Sequence, residues 1–166
     1  MANKKNIVRR IKSAVISVSD KSNLKLLLQT LNRYNVKLIS SGGTFKAIRK
    51  LGYRCLEVSD YTGFNEILDG RVKTLHPKIH AGILNKRNNN SHKREIKKNN
   101  FQNIDLVIVN FYPFEKTLNT TKNHNKIIEK IDIGGPALVR GAAKNYNDVA
   151  VITSTNQYSA LILSLI

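Results

Sequence analysis

The sequence predicts one α/β domain in which helices cover both faces of a mainly parallel β-sheet, giving a three-layer α/β/α arrangement. Short β-rich runs alternate with helical patterns along the chain, which is typical of parallel sheets. One run, residues 106–109, is apolar throughout, as strands buried on both faces are. The length of 166 residues suits one domain with one core.

In the first half of the chain, β-rich runs indicate strands and leucine spacing indicates a helix. Leucines at positions 24, 27, 28 and 31 recur at the spacing that places them on one helical face. Gly52 follows a short helical pattern and can adopt the left-handed conformation that ends a helix. These patterns predict strand 14–18, helix 24–31, strand 36–39, helix 45–51 and strand 53–58.

The second half begins with a section of little periodicity, in which Pro77 is a natural first residue of a helix. Residues 85–103 contain three consecutive asparagines and many charges, so they predict a surface insertion with a frayed helix. The remaining predictions are strand 106–109, a short helix near 127–131, helix 134–143, strand 149–152 and a helix from residue 158 to residue 166.

The composition is strongly basic: 28 Lys and Arg against 11 Asp and Glu give a net charge of +17. Such a charge first suggests a nucleic-acid-binding protein. However, 20 Asn, 19 Lys and 18 Ile together are typical of an AT-rich coding sequence, and much of the charge lies in residues 1–12 and 86–98. No zinc ligands, helix-turn-helix pattern or aromatic RNA-binding motif are recognised, so we expect no specific nucleic-acid partner.

Cysteine usage and hydropathy exclude other classes. Cys55 is the only cysteine, so a disulfide framework and a four-cysteine zinc site are excluded. No stretch approaches 18 consecutive apolar residues, and the basic N-terminus lacks the apolar core of a signal peptide. We therefore expect a cytoplasmic protein with a solvated basic tail at residues 1–12 and one domain at residues 13–166.

Two motifs follow predicted strands at the ends where parallel sheets bind their ligands. The motifs consist of Ser17, Ser19, Asp20 and Lys21, and of Ser41, Gly42, Gly43 and Thr44. The glycines allow close approach of the backbone, and the N–H groups and positive end of the following helix attract an anion. The pattern favours a phosphate cradle completed by hydroxyls and Lys21. An ordinary glycine turn with Thr44 as helix cap is the alternative.

A third motif, residues 70–80, concentrates donors for an anion. Arg71, Lys73 and Thr74 lie within four residues, and the alternative is a solvated basic loop. His76 and His80 are four residues apart, but a third ligand is lacking, so we expect no metal site.

Two further motifs bring groups suited to reading a flat ring and moving a proton. Asn110 and Tyr112 follow the strand at 106–109, with aromatic core packing as the alternative. Asp132 precedes a Gly-Gly-Pro helix start, and Lys144 lies near the end of that helix. As alternatives, Asp132 is a simple helix cap, and the positive charge of Lys144 interacts favourably with the negative end of the helix dipole. Together the five motifs predict a phosphorylated small-molecule ligand and proton-transfer chemistry.

The five motifs in this order give the chain a specific resemblance. The blocks SVSDK, SSGGT, SDYTGFNEILDGRVKTLHPKIHAGIL, NFYPF and IDIGGPALVRGAAKN resemble the inosine monophosphate cyclohydrolase domain of the bifunctional purine-biosynthesis family that also carries an AICAR formyltransferase. The resemblance runs from about Ser13 to the end of the chain. It implies a methylglyoxal-synthase-like α/β/α fold.

The resemblance also implies a reaction and a set of residues. The reaction is ring closure of 5-formamidoimidazole-4-carboxamide ribotide to inosine monophosphate with loss of water. It needs no cofactor, whereas 10-formyltetrahydrofolate would serve the formyltransferase domain. The implied catalytic residues are Lys73, Tyr112, Asp132 and Lys144. The implied nucleotide-binding residues are Ser17, Ser19, Asp20, Lys21, Ser41, Gly42, Gly43, Thr44, Arg71, Val72, Thr74, Val109, Asn110, Ile133 and Gly134.

In this interpretation Lys73 and Tyr112 stabilise the formyl oxygen, while Asp132 and Lys144 orient the carboxamide and shuttle its proton. The purine nucleotide is the expected partner, no membrane partner is expected, and a homodimer is compatible with the family. The chain departs from the family at residues 85–103, and its end at Ile166 is expected to fall before the formyltransferase domain. An inactive remnant, or a regulatory domain of the same fold, is the alternative function.

Overall fold

A computed structural model describes residues 9–165, and the strands among them form one five-stranded parallel sheet in the order β3-β2-β1-β4-β5. The strands are β1 Ser13–Val18, β2 Lys37–Ser40, β3 Leu56–Glu57, β4 Leu106–Asn110 and β5 Ala150–Ile152. The helices are α1 Leu24–Arg33, α2 Gly42–Lys50, α3 Val58–Thr62, α4 Pro77–Leu84, α5 Asn90–Lys98, α6 Phe114–Thr120, α7 His124–Ile128, α8 Gly134–Lys144 and α9 Tyr158–Leu165. Short 3-10 turns lie at Leu68–Gly70 and Thr155–Gln157.

Two apolar cores, one on each face of the sheet, join the sheet to the helices that cover it. On one face, alternate residues of β1 pack against α1, α2 and α9, with Leu27 and Leu31 of α1 fully buried. On the other face, α3, α4 and α8 cover the sheet, with Ile79 of α4 and Leu138 of α8 fully buried. The predicted three-layer α/β/α arrangement and the parallel sheet are therefore confirmed.

The central position of β1 and β4 explains their apolar sequences. Residues 14–16 of β1 and residues 106–109 of β4 are 0–1% exposed, because helices cover both sides of each strand. The leucine spacing of α1 produces a wholly buried stripe, as predicted. Gly52 has φ +86° directly after α2 and ends that helix as expected.

Several sequence predictions differ from the structure. The helix predicted near 127–131 lies earlier, at His124–Ile128. The third strand is limited to two residues, since Val58 already belongs to α3. Residues 114–120 form a helix that apolar periodicity did not predict, and none of its side chains is buried. The insertion at 85–103 holds a regular helix, α5, whose first N–H groups are capped by the side chain of Asn89.

Residues 9–12 contact the domain, so they do not belong to the solvated tail that the sequence predicted for residues 1–12. The Arg9 guanidinium lies 2.7 Å from the Asp148 carboxylate, and the backbone N–H of Lys12 donates to Asp105 Oδ2 at 2.9 Å. The prediction for residues 1–8 lies outside the described residues. None of the helices between residues 9 and 165 is both long and apolar enough to cross a membrane.

Candidate active site

The candidate site lies at the carboxyl edge of the sheet, between β1 and β4. At this point the order in which the chain adds strands switches from one side of the sheet to the other. The two strands are hydrogen-bonded neighbours, with Ser17 in register with Val109 and Val18 with Asn110. From β1 the chain passes to β2 and β3 on one side, and β4 and β5 follow on the other side. In open parallel sheets a ligand crevice forms outside the strand ends at such a point.

Asn110 ties the ends of β1 and β4 together. Its side-chain Oδ1 accepts hydrogen bonds from the N–H groups of Ser19 at 2.6 Å and Asp20 at 2.9 Å. Its Nδ2 donates to the Asp20 carbonyl at 2.9 Å. The amide is thus bound to the loop after β1, and contact of Asn110 with a flat ring stays a prediction.

The loop after β1 is folded around its own polar groups. The N–H of Ser22 donates to Asp20 Oδ1 at 2.8 Å, and hydrogen bonds from Ser22 lower the pKa of the Asp20 carboxyl. Lys21 Nζ lies 3.4 Å from the Val18 carbonyl and 3.3 Å from the Ser19 carbonyl. The ammonium of Lys21 is therefore held beside the end of β1.

The start of α2 presents backbone N–H groups to the same edge. Gly42 has φ +54°, a left-handed conformation that a residue with Cβ adopts only with strain, and Ser41 precedes it in an extended conformation. The first N–H groups of a helix have no acceptors within it, so they are suited to binding an anion.

Thr44 has a structural task in this helix start. Its buried hydroxyl donates to the Val18 carbonyl at 2.9 Å and accepts from the Val18 N–H at 3.0 Å. The hydroxyl proton is therefore used within the protein. The alternative interpretation of Thr44 as the helix cap is wrong, because Ser41 occupies the cap position. The phosphate-binding role of Thr44 stays a prediction.

Lys73 brings the third motif to the start of α2. Its ammonium forms an ion pair of 2.9 Å with Glu66 Oε1, and a Cβ placed on Gly42 would lie 3.4 Å from Lys73 Nζ. The side chain of Lys73 is 28% exposed, so it faces solvent only in part. A cation and a helix N-terminus therefore lie side by side.

The backbone that carries Lys73 is strained. Leu68 and Asp69 have φ of 53° and 52°, and neither is glycine. Consecutive left-handed residues of this kind cost of order 1 kcal/mol or more each and persist where the surroundings fix them. Such strain is found more often in functional loops than elsewhere.

Arg71 and Thr74 flank Lys73 and point to different partners. Arg71 forms an ion pair with Glu129, and both side chains are more than half exposed. Thr74 is buried, and its Oγ1 lies so close to Gly134 that a Cβ on that glycine would be 2.6 Å away. Thr74 thereby connects the third motif to the fifth motif, and Val72 between them is half-buried.

Asp132 lies two residues before α8, and its Oδ1 accepts a hydrogen bond of 2.8 Å from the Gly135 N–H. Ile133 occupies the N-cap position, but the Asp132 carboxylate still pairs with one N–H group of the first turn and is held in a fixed position. Ile133 beside it is 58% exposed.

Tyr112 lies on the loop after β4 and is 47% exposed, so it does not belong to the aromatic core. Its ring lies 5.1 Å from Lys130 Nζ, in the geometry of a cation–π contact. Tyr112 thus lies on a loop at the carboxyl edge of the sheet, the edge from which α8 also starts.

Lys144 is exposed at the far end of α8. The helix has 11 residues, so at about 1.5 Å per residue its two ends lie about 15 Å apart. The neighbouring Asn145 donates to the carbonyls of Ile83 and Asn85, close to the amino edge of the sheet. Within the described chain, Lys144 is not brought to Lys73 or Asp132.

The two histidines of the third motif have separate environments. His76 caps α4, and its Nδ1 accepts the N–H of Lys78 at 3.1 Å. His80 is half-buried between α4 and α8, and its burial lowers the pKa of the imidazole. Among residues 9–165, no group of three or more His, Cys, Asp or Glu is arranged to hold a metal.

Sequence reasoning missed the acidic partners of the cations. Glu66 and Glu129 pair with Lys73 and Arg71, which lie 7 and 58 positions away along the chain. It also missed an apolar rim around the polar groups. This rim consists of exposed side chains on the carboxyl-edge loops: Phe64, Ile67, Leu68, Leu75, Phe111, Tyr112, Ile131 and Ile133.

These features define the chain as a parallel α/β domain whose polar motifs gather beyond the carboxyl ends of its strands, where sheets of this class bind their ligands. The chain belongs to the MGS-like domain family, whose model matches residues 23–137. The fold expected from the motifs is therefore confirmed.

Three known proteins illustrate the similarity. A bifunctional purine biosynthesis protein PurH from Acetivibrio thermocellus is 49% identical over 156 residues, which cover 93% of this chain and 30% of that protein. PurH from Clostridioides difficile is 48% identical over 154 residues, with coverages of 93% and 30%. The crystal structure of ForH matches with a TM-score of 0.80 and 32% identity, covering 92% of this chain and 78% of that one.

These matches confirm the resemblance to the inosine monophosphate cyclohydrolase region of the bifunctional family. The chain spans about 30% of the length of the curated relatives it matches.

Proposed function

We propose that this domain is an inosine monophosphate cyclohydrolase, which closes the ring of 5-formamidoimidazole-4-carboxamide ribotide to give inosine monophosphate and water. The observation that carries the proposal is the meeting of the first four motifs and the start of the fifth at one edge of the sheet, around the β1–β4 switch point. The similarity to PurH proteins of purine biosynthesis supports the substrate class, and a cytoplasmic setting goes with it.

The ribotide phosphate binds, in this proposal, at the start of α2. The N–H groups there are unpaired within the helix, and the Lys73 ammonium lies beside them. A bound phosphate would compete with Glu66 for Lys73 and with the Val18 and Ser19 carbonyls for Lys21. A phosphate dianion gains from both the N–H dipoles and the positive charge. Asn110 and Thr44 support this site indirectly, because they fix the loop after β1 and the first turn of α2.

The ring closure forms a bond between the carboxamide nitrogen and the formyl carbon, and the formyl oxygen leaves as water. Negative charge develops on that oxygen, so a cation or hydroxyl donor beside it lowers the barrier. Lys73 and Tyr112 are proposed for this role. Apolar side chains around the site, such as Phe64 and Ile133, would exclude water and strengthen these interactions.

Asp132 is proposed to orient the carboxamide and accept its proton. Its Oδ1 is held by the Gly135 N–H, which leaves Oδ2 for the substrate. Because both reacting groups belong to one substrate, positioning supplies a large part of the acceleration. The step exchanges no electrons and needs no metal or redox cofactor.

The role predicted for Lys144 is not proposed for the single chain. Its position at the end of α8 is about 15 Å along the helix from the start that adjoins Asp132. This separation favours a second candidate, a domain that binds the nucleotide without turning it over, as a regulatory domain does.

Turnover and binding are measured separately to distinguish the two candidates. The purified chain is mixed with the formyl nucleotide, and formation of inosine monophosphate is followed by its ultraviolet absorbance. A thermal melt with and without inosine monophosphate reports binding, since a ligand of the folded state raises Tm. Turnover supports the cyclohydrolase, and a raised Tm without turnover supports the regulatory domain. If inosine monophosphate neither forms nor raises Tm, the candidate site is rejected.

A further inference from the structure

A second surface of the molecule has the shape and charge of a binding site, and it lies at the amino edge of the sheet. A concavity of about 860 Å³ crosses the starts of β2, β1, β4 and β5. A second concavity of about 420 Å³ adjoins it, shares Arg87 and Asn103 with it, and extends to α5. We call the two together the amino-edge groove.

Basic side chains dominate the amino-edge groove. Asp105 and Asp148 are its only acids among the lining residues of the described chain. The seven basic residues that line it are Arg9, Arg10, Lys12, Lys37, Arg87, Lys93 and Lys97.

Both acids are already used by the protein. Asp148 pairs with Arg9 at 2.7 Å and accepts the N–H of Arg87. Asp105 lies 3.6 Å from the Arg87 guanidinium and accepts the N–H groups of Lys12 and Ser13. The sequence of residues 1–8 contains no acid that would neutralise the rest. The exposed cations of the groove therefore face solvent with uncompensated charge.

The spread of these cations favours a long anion over a compact one. Neighbouring strands are about 4.8 Å apart, so the four strand starts alone span about 14 Å. A single phosphate would meet only one or two of the cations. A chain of phosphates would meet several, as in grooves that track a nucleic-acid backbone.

Aromatic and amide groups lie between the cations. Tyr146 lines the groove and is 68% exposed, and Phe101 lines its second part. Gln102, Asn103 and Asn147 add side-chain amides. Exposed aromatic rings stack on unpaired bases without regard to sequence, and amides hydrogen-bond to base edges.

We propose that the amino-edge groove binds single-stranded RNA without sequence preference, through its phosphates and by stacking on Tyr146. The groove lies about 17 Å from the candidate active site, the length of the six-residue strand β1 at about 3.3 Å per residue. The proposed nucleotide site at the carboxyl edge and the RNA site at the amino edge are therefore separate surfaces.

The test uses the full chain and a fluorescein-labelled twelve-nucleotide oligouridine, with binding followed by fluorescence anisotropy at several salt concentrations. The test variant is Lys12→Glu/Lys37→Glu/Lys97→Glu, in which three exposed groove cations are reversed. The matched control is Lys25→Glu/Lys46→Glu/Lys50→Glu, which makes the same charge change at exposed positions of α1 and α2. Circular dichroism melts verify that both variants are folded.

We expect the groove variant to raise the apparent Kd at least tenfold and the control to raise it less than threefold. The slope of log K against log salt should become smaller by about 2 in the groove variant, because each phosphate contact of a single strand contributes about 0.7. Tyr146→Ala, made alone, should also raise the apparent Kd, but it should leave the slope of log K against log salt unchanged.

Three outcomes would overturn the proposal. Equal weakening by both triple variants would show a general charge effect. Displacement of the oligouridine by inosine monophosphate would place RNA at the carboxyl edge. Groove-dependent binding to phosphatidylserine vesicles without binding to oligouridine would identify a membrane surface as the partner. None of these outcomes depends on whether the domain turns over the formyl nucleotide.

Discussion

The two edges of the sheet use polar side chains in different ways. At the amino edge, buried side chains such as Arg87 and Asn145 donate to main-chain carbonyls and hold separate segments together. At the carboxyl edge, Asn110, Thr44 and Asp132 fix loops and helix starts, while cations and apolar side chains remain exposed around them. The comparison indicates that the buried polar side chains of the amino edge stabilise the fold, whereas those of the carboxyl edge position the loops of the candidate active site.

The comparison is tested most strongly at the amino edge by Arg87→Ala. The Arg87 side chain is only 9% exposed and donates to the carbonyls of Asn85, Gly82 and Ile104 beside Asp105. Removal leaves those acceptors and the Asp105 carboxylate without their cation, so we expect the free energy of unfolding to fall by about 3 kcal/mol. Urea denaturation measures this change.

The control for Arg87 is Arg94→Ala, an exposed arginine on α5. Its effect should stay within about 0.5 kcal/mol. If both variants cost the same, the amino edge would have no special role in stability.

At the carboxyl edge, Lys73→Ala is expected to lower kcat/KM for the formyl nucleotide about a hundredfold, since it removes a cation from the developing oxyanion. The Tm should change little because the Lys73–Glu66 ion pair is partly exposed. Steady-state kinetics and a thermal melt of the same preparation check both expectations.

Lys144→Ala is the matched comparison, because it removes the other lysine that the resemblance implicates. Its position at the amino-edge end of α8 leads us to expect less than a threefold change in kcat/KM. A loss as large as that of Lys73→Ala would show that Lys144 reaches the substrate, and the site would then require a second copy of the chain.

A smaller effect is expected where α8 packs on α4. A Cβ on Gly141 would meet its neighbours at 3.5 Å or more, which is ordinary contact. Gly141→Ala should therefore raise the free energy of unfolding by about 0.5–1 kcal/mol through helix propensity. Gly82→Ala in α4 is the opposing control, because its Cβ would lie 2.6 Å from the Gln102 carbonyl oxygen, and it should destabilise the protein.

The smallest effect concerns pH. The folded-state pKa of His80 lies below the ordinary value of about 6.5, so the unfolded chain takes up the proton first as pH falls. The stability contribution of neutral His80 is complete above pH 6.5 and declines below it. His80→Gln should flatten the pH dependence of stability between pH 7 and 5, and His124→Gln, at an exposed position, should leave it unchanged.

The fold was predictable because its signals are local. The apolar run at 106–109 and the leucine stripe of α1 each follow from one short segment. The helix α6 carries no buried residue, so it leaves no apolar pattern to recognise. The third strand was overextended because Val58, a β-branched residue, begins a helix that covers the sheet.

The site was predictable in outline and less so in detail. Polar motifs after parallel strands must meet at one edge, so their meeting followed from the fold class. Which groups are already paired did not follow, because the partners of Asn110 are about 90 positions away and the partner of Arg71 is 58 positions away. The separation of Lys144 from Asp132 follows from the length of α8 once Asp132 is placed just before the helix and Lys144 at its end.

The central place of β1 has a consequence for synthesis of the chain. The strand leaves the ribosome before the other strands of the sheet, and β2 pairs with one of its sides soon afterwards. Its other side pairs only with β4, so it remains an open edge until residue 110 has emerged. During that interval an apolar strand has unsatisfied backbone groups, which is the condition in which nascent chains associate wrongly. Conditions that keep nascent chains from associating with one another during this interval should therefore raise the yield of folded protein.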